Sequence, residues 1–437
     1  MIHTMCLDND YAVLDVESGS IHKIDKPVYD YLNGSTPECD ASTLIDIKSE
    51  IDTLKASGLL FSDEITDEKR FNEPVVKAIC LHVAHDCNLR CKYCFANTGD
   101  YHKDRGLMSK EVAEKALDLL VKNSKGRKNL EVDFFGGEPL LNFDTVEYSV
   151  DYGNRLASEY GKNIRFTITT NGYYVTDKIA SFINNHMKNL VISIDGRENV
   201  HNAMRPSSSG KSTYNTVVKN AKALLKGRGT KEYYIRGTYT RENLDFAEDV
   251  VELVNKGFKS VSIEPVISDG PLGIREEDLD LIYKQYEKLA NIYELSESNG
   301  NPFVFFHFMI NLSSGPCLNK RLRGCGAGLE YVAVTPSGDI YPCHQFAEQD
   351  GFLMGNVFEG ITNREISKLF NNNNVYEKES CKNCWAKYYC SGGCAADAYF
   401  TNGDILIPDA VSCSIERKRL ETAIMLEVRK RSKKRNA

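Results

Sequence analysis

Three thiols within eight residues constrain this chain more than any other feature. The segment His85-Asp86-Cys87-Asn88-Leu89-Arg90-Cys91-Lys92-Tyr93-Cys94 carries the spacing C-x3-C-x2-C. Three ligands are one short of a closed tetrahedral set. A structural zinc ion wants a fourth Cys or His, and His85 is the candidate at hand. An iron-sulfur cube held by three thiolates instead leaves one iron open to a substrate. The chain has 14 cysteines, crowded between Cys80 and Cys94 and between Cys317 and Cys413. In a reducing compartment such groups at short spacings suggest metal ligation rather than a disulfide framework. Cys6, Cys39 and Cys80 stand outside any ligand spacing and read as small apolar residues.

A length of 437 residues implies a large central domain with smaller ones attached. Lys and Arg number 54 against 61 Asp and Glu, a formal net charge of -7, so no global basic field points to nucleic acid. No apolar run approaches the roughly 18 residues of a membrane span, and Met1 to Asp10 lacks an export pattern. A cytoplasmic location with no membrane partner is expected.

From Tyr11 to Asp25 the chain alternates as a hairpin with Ser18-Gly19 at its turn, and helical stretches follow around Val28 to Leu32 and Leu44 to Ser57. This predicts a small module over 1–62. The charged stretch to Pro74 reads as a linker, 63–77. Then strands alternate with amphipathic helices over 78–310: Ala78 to Ala84, Glu131 to Phe135, Ile164 to Thr170, Leu190 to Ile194, Tyr233 to Gly237 and Ser260 to Pro265. That rhythm implies an α/β fold with a parallel sheet, open or curled into a barrel, and functional residues at the strands' carboxyl ends. From 311 to 415 glycine, asparagine and cysteine dominate short hairpin-like pieces such as Val332 to Tyr341, a composition that needs metal to fold. The basic stretch within 416–437 predicts a solvated, frayed helix. Ser209-Gly210-Lys211-Ser212 ends like a phosphate-binding loop, but Arg205 stands where that motif needs its first glycine.

The cysteine loop resembles the radical S-adenosylmethionine (SAM) superfamily, whose fold is a partial barrel of six strand-helix units. The resemblance implies a 4Fe-4S cluster on Cys87, Cys91 and Cys94, with SAM bound at the open iron and cleaved to a 5'-deoxyadenosyl radical. Further residues match one by one. Gly136-Gly137-Glu138-Pro139 follows the second strand, with Gly137 letting the backbone approach the ligand and Glu138 accepting from the methionine ammonium. Tyr93 is similar to the aromatic beside the adenine. Ser193 and Arg205 resemble the pair that holds ribose and carboxylate, and Asn171 and Val266 lie at further strand ends.

Cys325, Gly338 and Cys343, then Cys381-x2-Cys384-x5-Cys390-x3-Cys394 and Cys413, resemble the SPASM domain, which carries two auxiliary 4Fe-4S clusters. The zinc-ribbon alternative covers only the short pairs. By the resemblance Cys381, Cys384, Cys390 and Cys413 close an outer cluster, and Cys325, Cys343 and Cys394 hold an inner one. Either Cys317 or a substrate thiolate completes the inner set, which brings the clusters to three. Sulfatase-maturing relatives place a basic aspartate where this chain has His344. That departure argues against sulfatase maturation, while His344 and Cys317 remain the catalytic candidates.

The N-terminal module resembles the leader-recognition element of peptide-maturing radical enzymes. Together the three regions most resemble maturases of six-cysteine peptides. That implies a thioether link, cysteine sulfur to carbon, formed in a cysteine-rich precursor peptide with a leader, using electrons from a donor such as flavodoxin or ferredoxin. Other peptide chemistry on the same scaffold, including sulfatase-type oxidation, is the first alternative. A non-catalytic, metal-stabilised peptide-binding scaffold is the second.

Overall fold

Six strands run parallel in the order of the sequence: Ala78–His85, Asn129–Gly136, Asn163–Thr170, Asn189–Ser193, Glu232–Tyr239 and Ser260–Pro265. Each neighbour in sequence is a neighbour in space, the arrangement that repeated strand-helix-strand crossovers of one hand produce. The computed structural model describes residues 1–64, 74–312 and 318–435. Cys317 and residues 65–73 of the expected linker lie outside them.

The first strand is buried along its whole length, as its mainly apolar sequence favours, with His82 and His85 buried beside the apolar side chains. The next two alternate, which puts one set of side chains under the helices and the other inside the curl. Phe134, Ile168, Leu190, Ile192, Ile235 and Ile263 have no exposed surface on the helix side. Each such side chain contributes about 1.5–3 kcal/mol by burial. Helices Lys110–Asn123 and Asp177–His186 begin where Ser109 and Thr176 accept hydrogen bonds from the amides of Val112 and Ile179.

One pairing was not anticipated. The expected hairpin beyond residue 330 forms from Tyr331–Val334 and Asp339–Tyr341, and its first strand runs parallel to Ala78–Leu81 at the free side of the first strand. The cysteine-rich segment thereby extends the central sheet. Ala327 to Tyr341 offers no long apolar run to signal this, because only four residues pair.

The described chain divides into two compact units. One holds residues 74–274 and 325–373; the other holds 1–64, 275–312, 318–324 and 374–435. The expected barrel and cysteine-domain boundaries therefore do not coincide with compact units. The long helix Leu279–Ser298 belongs to the second unit, and the cysteine-rich region is shared between both.

In the second unit, strands Ile2–Leu7, Asp10–Asp15 and Ile21–Ile24 form an antiparallel meander followed by helices Lys26–Leu32 and Ala41–Ala56. The hairpin is as expected, with an additional strand before it. Val13, Ile47, Ile51 and Leu60 make its core. Glu17, at the hairpin turn, is 2% exposed and lies 2.9 Å from Lys387 Nζ, and Tyr388 Oη donates to its other oxygen at 2.9 Å.

The basic C-terminal stretch departs from expectation. It forms the helix Ala410–Arg435, with Ala423, Ile424, Met425 and Leu426 buried. Arg429 donates to Asp10, Glu294, Asp8 and the Leu7 carbonyl at 2.6–2.9 Å. The cations fix the helix within its unit instead of fraying it, because carboxylates on other elements of that unit meet them. Among the described residues no helix is long and apolar enough to cross a membrane.

Candidate active site

The cysteine loop leaves the first strand and folds against the turn after the second. Gly137 donates to the Ala84 carbonyl at 2.8 Å, and Glu138 donates through its backbone to Asp86 O at 2.9 Å. A Cβ on Gly137 would stand 2.2 Å from Asp86 O, so backbone meets backbone here and no side chain fits. The loop is tied from the other side as well. Arg90 N and Lys92 N donate to the Pro206 and Met204 carbonyls at 2.8 and 2.9 Å, and Ser208 N donates to Asn88 O at 2.9 Å. Ser207 to Lys211 is thus a turn braced on the cysteine loop, in keeping with the rejection of a phosphate site.

Cys87, Cys91 and Cys94 are free thiols on the wall of one cavity of about 220 Å³, within the first unit. Burial pushes the Cys87 thiol up to about 12 and the Cys91 thiol up to about 11. Without a ligand they stay protonated at neutral pH, so loading a metal centre releases protons. His85, the zinc alternative, is 3% exposed, packs on His82 and Tyr101, and is absent from the cavity wall. Among the described residues no group of three or more His, Cys, Asp or Glu side chains is drawn together around a single-ion site.

Six of the seven expected cofactor residues line the same cavity: Tyr93, Gly137, Asn171, Ser193, Arg205 and Val266. Glu138 sits behind it. Its carboxylate accepts from Leu140 N at 3.0 Å, Thr170 Oγ1 at 2.8 Å and Asn171 N at 2.7 Å, which fixes the end of the third strand to the glycine turn. Burial raises its pKa to about 7. Asn171 Nδ2 reaches Asn88 Oδ1 at 2.7 Å and points at Cys87 Sγ from 3.7 Å.

Arg205 lies over the Tyr93 ring at 5.3 Å, with Nε 3.0 Å from Asp195 and Nη1 3.9 Å from Cys91 Sγ. Asp195 is fully buried. It accepts from Tyr93 Oη at 2.7 and 2.8 Å and from Thr238 N at 3.0 Å. Behind them His201 Nε2 contacts Thr213 Oγ1 at 3.1 Å, and Thr213 donates to the Arg205 carbonyl at 2.6 Å. The sequence reading missed Asp195, although its place just after the fourth strand is where such a residue is expected.

The cavity also takes in Phe95, Phe135, Arg236, Thr238, Glu264, His344 and Gln345. Arg236 pairs in register with Ser262 and Thr238 with Glu264, so these side chains share the inner face of adjacent strands. His344 contacts Tyr331 Oη through Nδ1 at 3.2 Å and packs against Phe135 and Phe95. Strand ends carried this information in the sequence, but no spacing distinguished Arg236 or Glu264 from ordinary surface charges.

In the second unit Cys381, Cys384, Cys390 and Cys413 are free thiols; Cys384 raises the pKa of Cys381 and Cys413, Cys381 that of Cys390 and Cys413, and Cys413 that of Cys390. Burial pushes Cys390 up to about 12 and Cys413 up to about 11. Cys394 belongs to the same unit, whereas Cys325 and Cys343 belong to the first. Cys80 is buried in the sheet, as expected of an apolar residue, but Cys6 is exposed and donates to Asp8 O at 3.2 Å.

Three free thiols on one cavity wall, beside backbone that only glycine permits, suit a cube with one open iron. Sequential parallel strands ending at such a loop define a radical SAM fold, joined here to a cysteine-rich iron-sulfur domain. The chain belongs to the radical SAM superfamily, matched over residues 81–254, and residues 325–385 match the SPASM iron-sulfur cluster-binding domain. It is 24% identical over 356 residues to the radical SAM cyclopropyl synthase TigE of Paramaledivibacter caminithermalis, covering 78% of this chain and 72% of TigE. It is 27% identical over 355 residues to the mycofactocin maturase MftC of Mycolicibacterium smegmatis, covering 78% of this chain and 84% of MftC. The fold is shared with Streptococcus suis SuiB, solved with its precursor peptide SuiA, at a TM-score of 0.55 and 17% identity, over 94% of this chain and 98% of SuiB.

Proposed function

We propose that this enzyme forms a thioether link, cysteine sulfur to carbon, in a cysteine-rich precursor peptide. The observation that carries the reading is the cavity itself, where three thiols and the expected SAM contacts meet Phe95, Phe135 and His344 from the cysteine-rich region. A 4Fe-4S cluster on Cys87, Cys91 and Cys94 with SAM supplies, when bound, a radical able to take hydrogen from an unactivated carbon.

The chain's own residues have separate tasks. Tyr93, Ser193, Asn171, Arg205 and Val266 orient the cofactor, and Asp195 and Glu138 hold them in place. Phe95 and Phe135 keep water from the reacting carbon. Joining a C–H and an S–H as C–S removes two hydrogens: one leaves as an atom, and the other as a proton and an electron. Burial lowers the His344 pKa to about 4 and so keeps the ring neutral; with Nδ1–H donating to Tyr331 Oη, its Nε2 is the proton acceptor on this reading, a weak base that passes the proton on. Cys381, Cys384, Cys390 and Cys413 would hold the outer auxiliary cluster, and Cys317 or the substrate thiolate would complete the inner one; such clusters would supply an acceptor for the electron. The N-terminal meander binds the leader, and flavodoxin or ferredoxin supplies reducing electrons.

The relatives' chemistry supports a second reading, other radical modification of a peptide, since TigE is named for a cyclopropyl product and MftC for a cofactor. Tandem mass spectrometry of a cysteine-rich precursor after anaerobic turnover separates the two. A loss of two hydrogens localised to a cysteine and its acceptor supports the thioether. A change that leaves every cysteine alkylatable sinks it.

A further inference from the structure

Two lysines are almost completely buried in the cysteine-rich part of the second unit. Lys387 is 2% exposed and has a carboxylate on each side, Glu17 at 2.9 Å and Glu64 at 3.2 Å. Lys378 is 1% exposed and, among the described residues, has no carboxylate within ion-pair distance. The hydrogen-bond partner of its ammonium is the Gly392 carbonyl at 2.6 Å. Gly392 sits at φ +87°, a conformation that favours glycine, and packs beside the lysine, since a Cβ there would stand 3.6 Å from its Cδ. The Lys378 backbone carbonyl accepts from Cys381 N at 2.9 Å.

A buried ammonium with no anion in contact is unfavourable and persists only where something offsets it. The groups that act on this one most strongly are thiols, Cys381, Cys390, Cys394 and Cys413, with the buried Asp397 carboxyl in electrostatic range but not in contact. As bare thiols they offer no charge. Cys381, Cys390 and Cys413, together with Cys384, would hold the outer four-thiolate cube, a centre of net negative charge whose potential follows local charge and hydrogen bonding, whereas Cys394 belongs to the inner set.

We infer that Lys378 is the built-in counter-ion of the outer auxiliary cluster, a positioning residue that raises the cluster's reduction potential and fits it to accept an electron. This rests on the outer-cluster reading above. Lys387, already neutralised by Glu17, has no comparable role.

The test uses the full-length, anaerobically reconstituted protein with Cys87, Cys91 and Cys94 all replaced by Ala, so that the first cluster is silent. The outer-cluster signal in electron paramagnetic resonance is the one lost on Cys381→Ala. If no signal depends on Cys381, the outer-cluster reading falls before any lysine variant is made, and this inference falls with it. Given that signal, Lys378→Met should keep its iron and sulfide while the midpoint potential moves to more negative values, and Lys378→Arg should restore it. Loss of cluster iron in the Met variant but not in the Arg variant also supports the counter-charge. An unchanged potential in Lys378→Met at full iron, or loss of iron in both variants, overturns it.

Discussion

Glu138, 1% exposed, accepts three hydrogen bonds, two from backbone amides and one from Thr170. Glu138→Gln turns an amide N–H toward one of those donors and leaves it unpaired. A loss of about 1–3 kcal/mol in stability is expected, read as a lowered denaturation midpoint, together with weaker SAM binding by calorimetry. Unchanged values for both would mean that the carboxylate does not brace the site. His201 offers a pH test. Burial lowers its pKa from 6.5 to about 4, so the unfolded chain binds the extra proton between those values and stability falls as pH drops through that window. Between pH 7 and pH 5 this group alone removes about 2 kcal/mol. Glu138 and Asp133, both raised to about 7 by burial, act in the opposite sense, losing stability as pH rises through the same range. The comparison must therefore be differential: wild type should lose more stability than His201→Gln when denaturation is repeated at pH 5. Equal losses would remove His201 as the source.

At the scale of elements, the turn after the second strand and the cysteine loop behave as one structure. Gly137→Ala places a methyl 2.2 Å from Asp86 O and must displace the loop. About 1–3 kcal/mol of stability should be lost, and cluster iron after reconstitution should fall severalfold; full iron at wild-type stability would show that the contact yields. All six strands and the glycine turn were legible from apolar runs bounded by helix signals. What escaped was non-local. The strand Tyr331–Val334 is defined by its partner Ala78–Leu81, some 250 residues away, not by its own pattern. The C-terminal helix misled for a similar reason, since its charges suggest solvent until Asp10 and Glu294 are seen to meet them. Arg429→Ala removes the cation that ties Asp10 and Glu294 to the helix, although Lys23 and Lys433 still pair with them, and should cost about 1–2 kcal/mol, detectable as an earlier thermal transition of the holoenzyme; a shift of less than a degree would mean that the network is not coupled to stability.

For the whole molecule, the cysteine triad marked the site in the sequence because three ligands at that spacing leave so few alternatives. The residues that hold the site, Asp195, Thr213 and His201, carry no motif and became visible only when strand ends and loops were brought together. The account holds that the first cluster generates the radical and that the cysteine-rich region and the N-terminal meander direct its use. Accordingly, Cys87→Ala should abolish 5'-deoxyadenosine formation, while Cys381→Ala should keep measurable cleavage but lose the modified peptide. The most direct measurement follows both products in one anaerobic reaction of the reconstituted wild type with a short cysteine-rich precursor, SAM and a reductant. The account predicts 5'-deoxyadenosine together with a peptide lighter by two hydrogens and one alkylatable cysteine fewer per link. Release of 5'-deoxyadenosine with every cysteine of the peptide still free would contradict it.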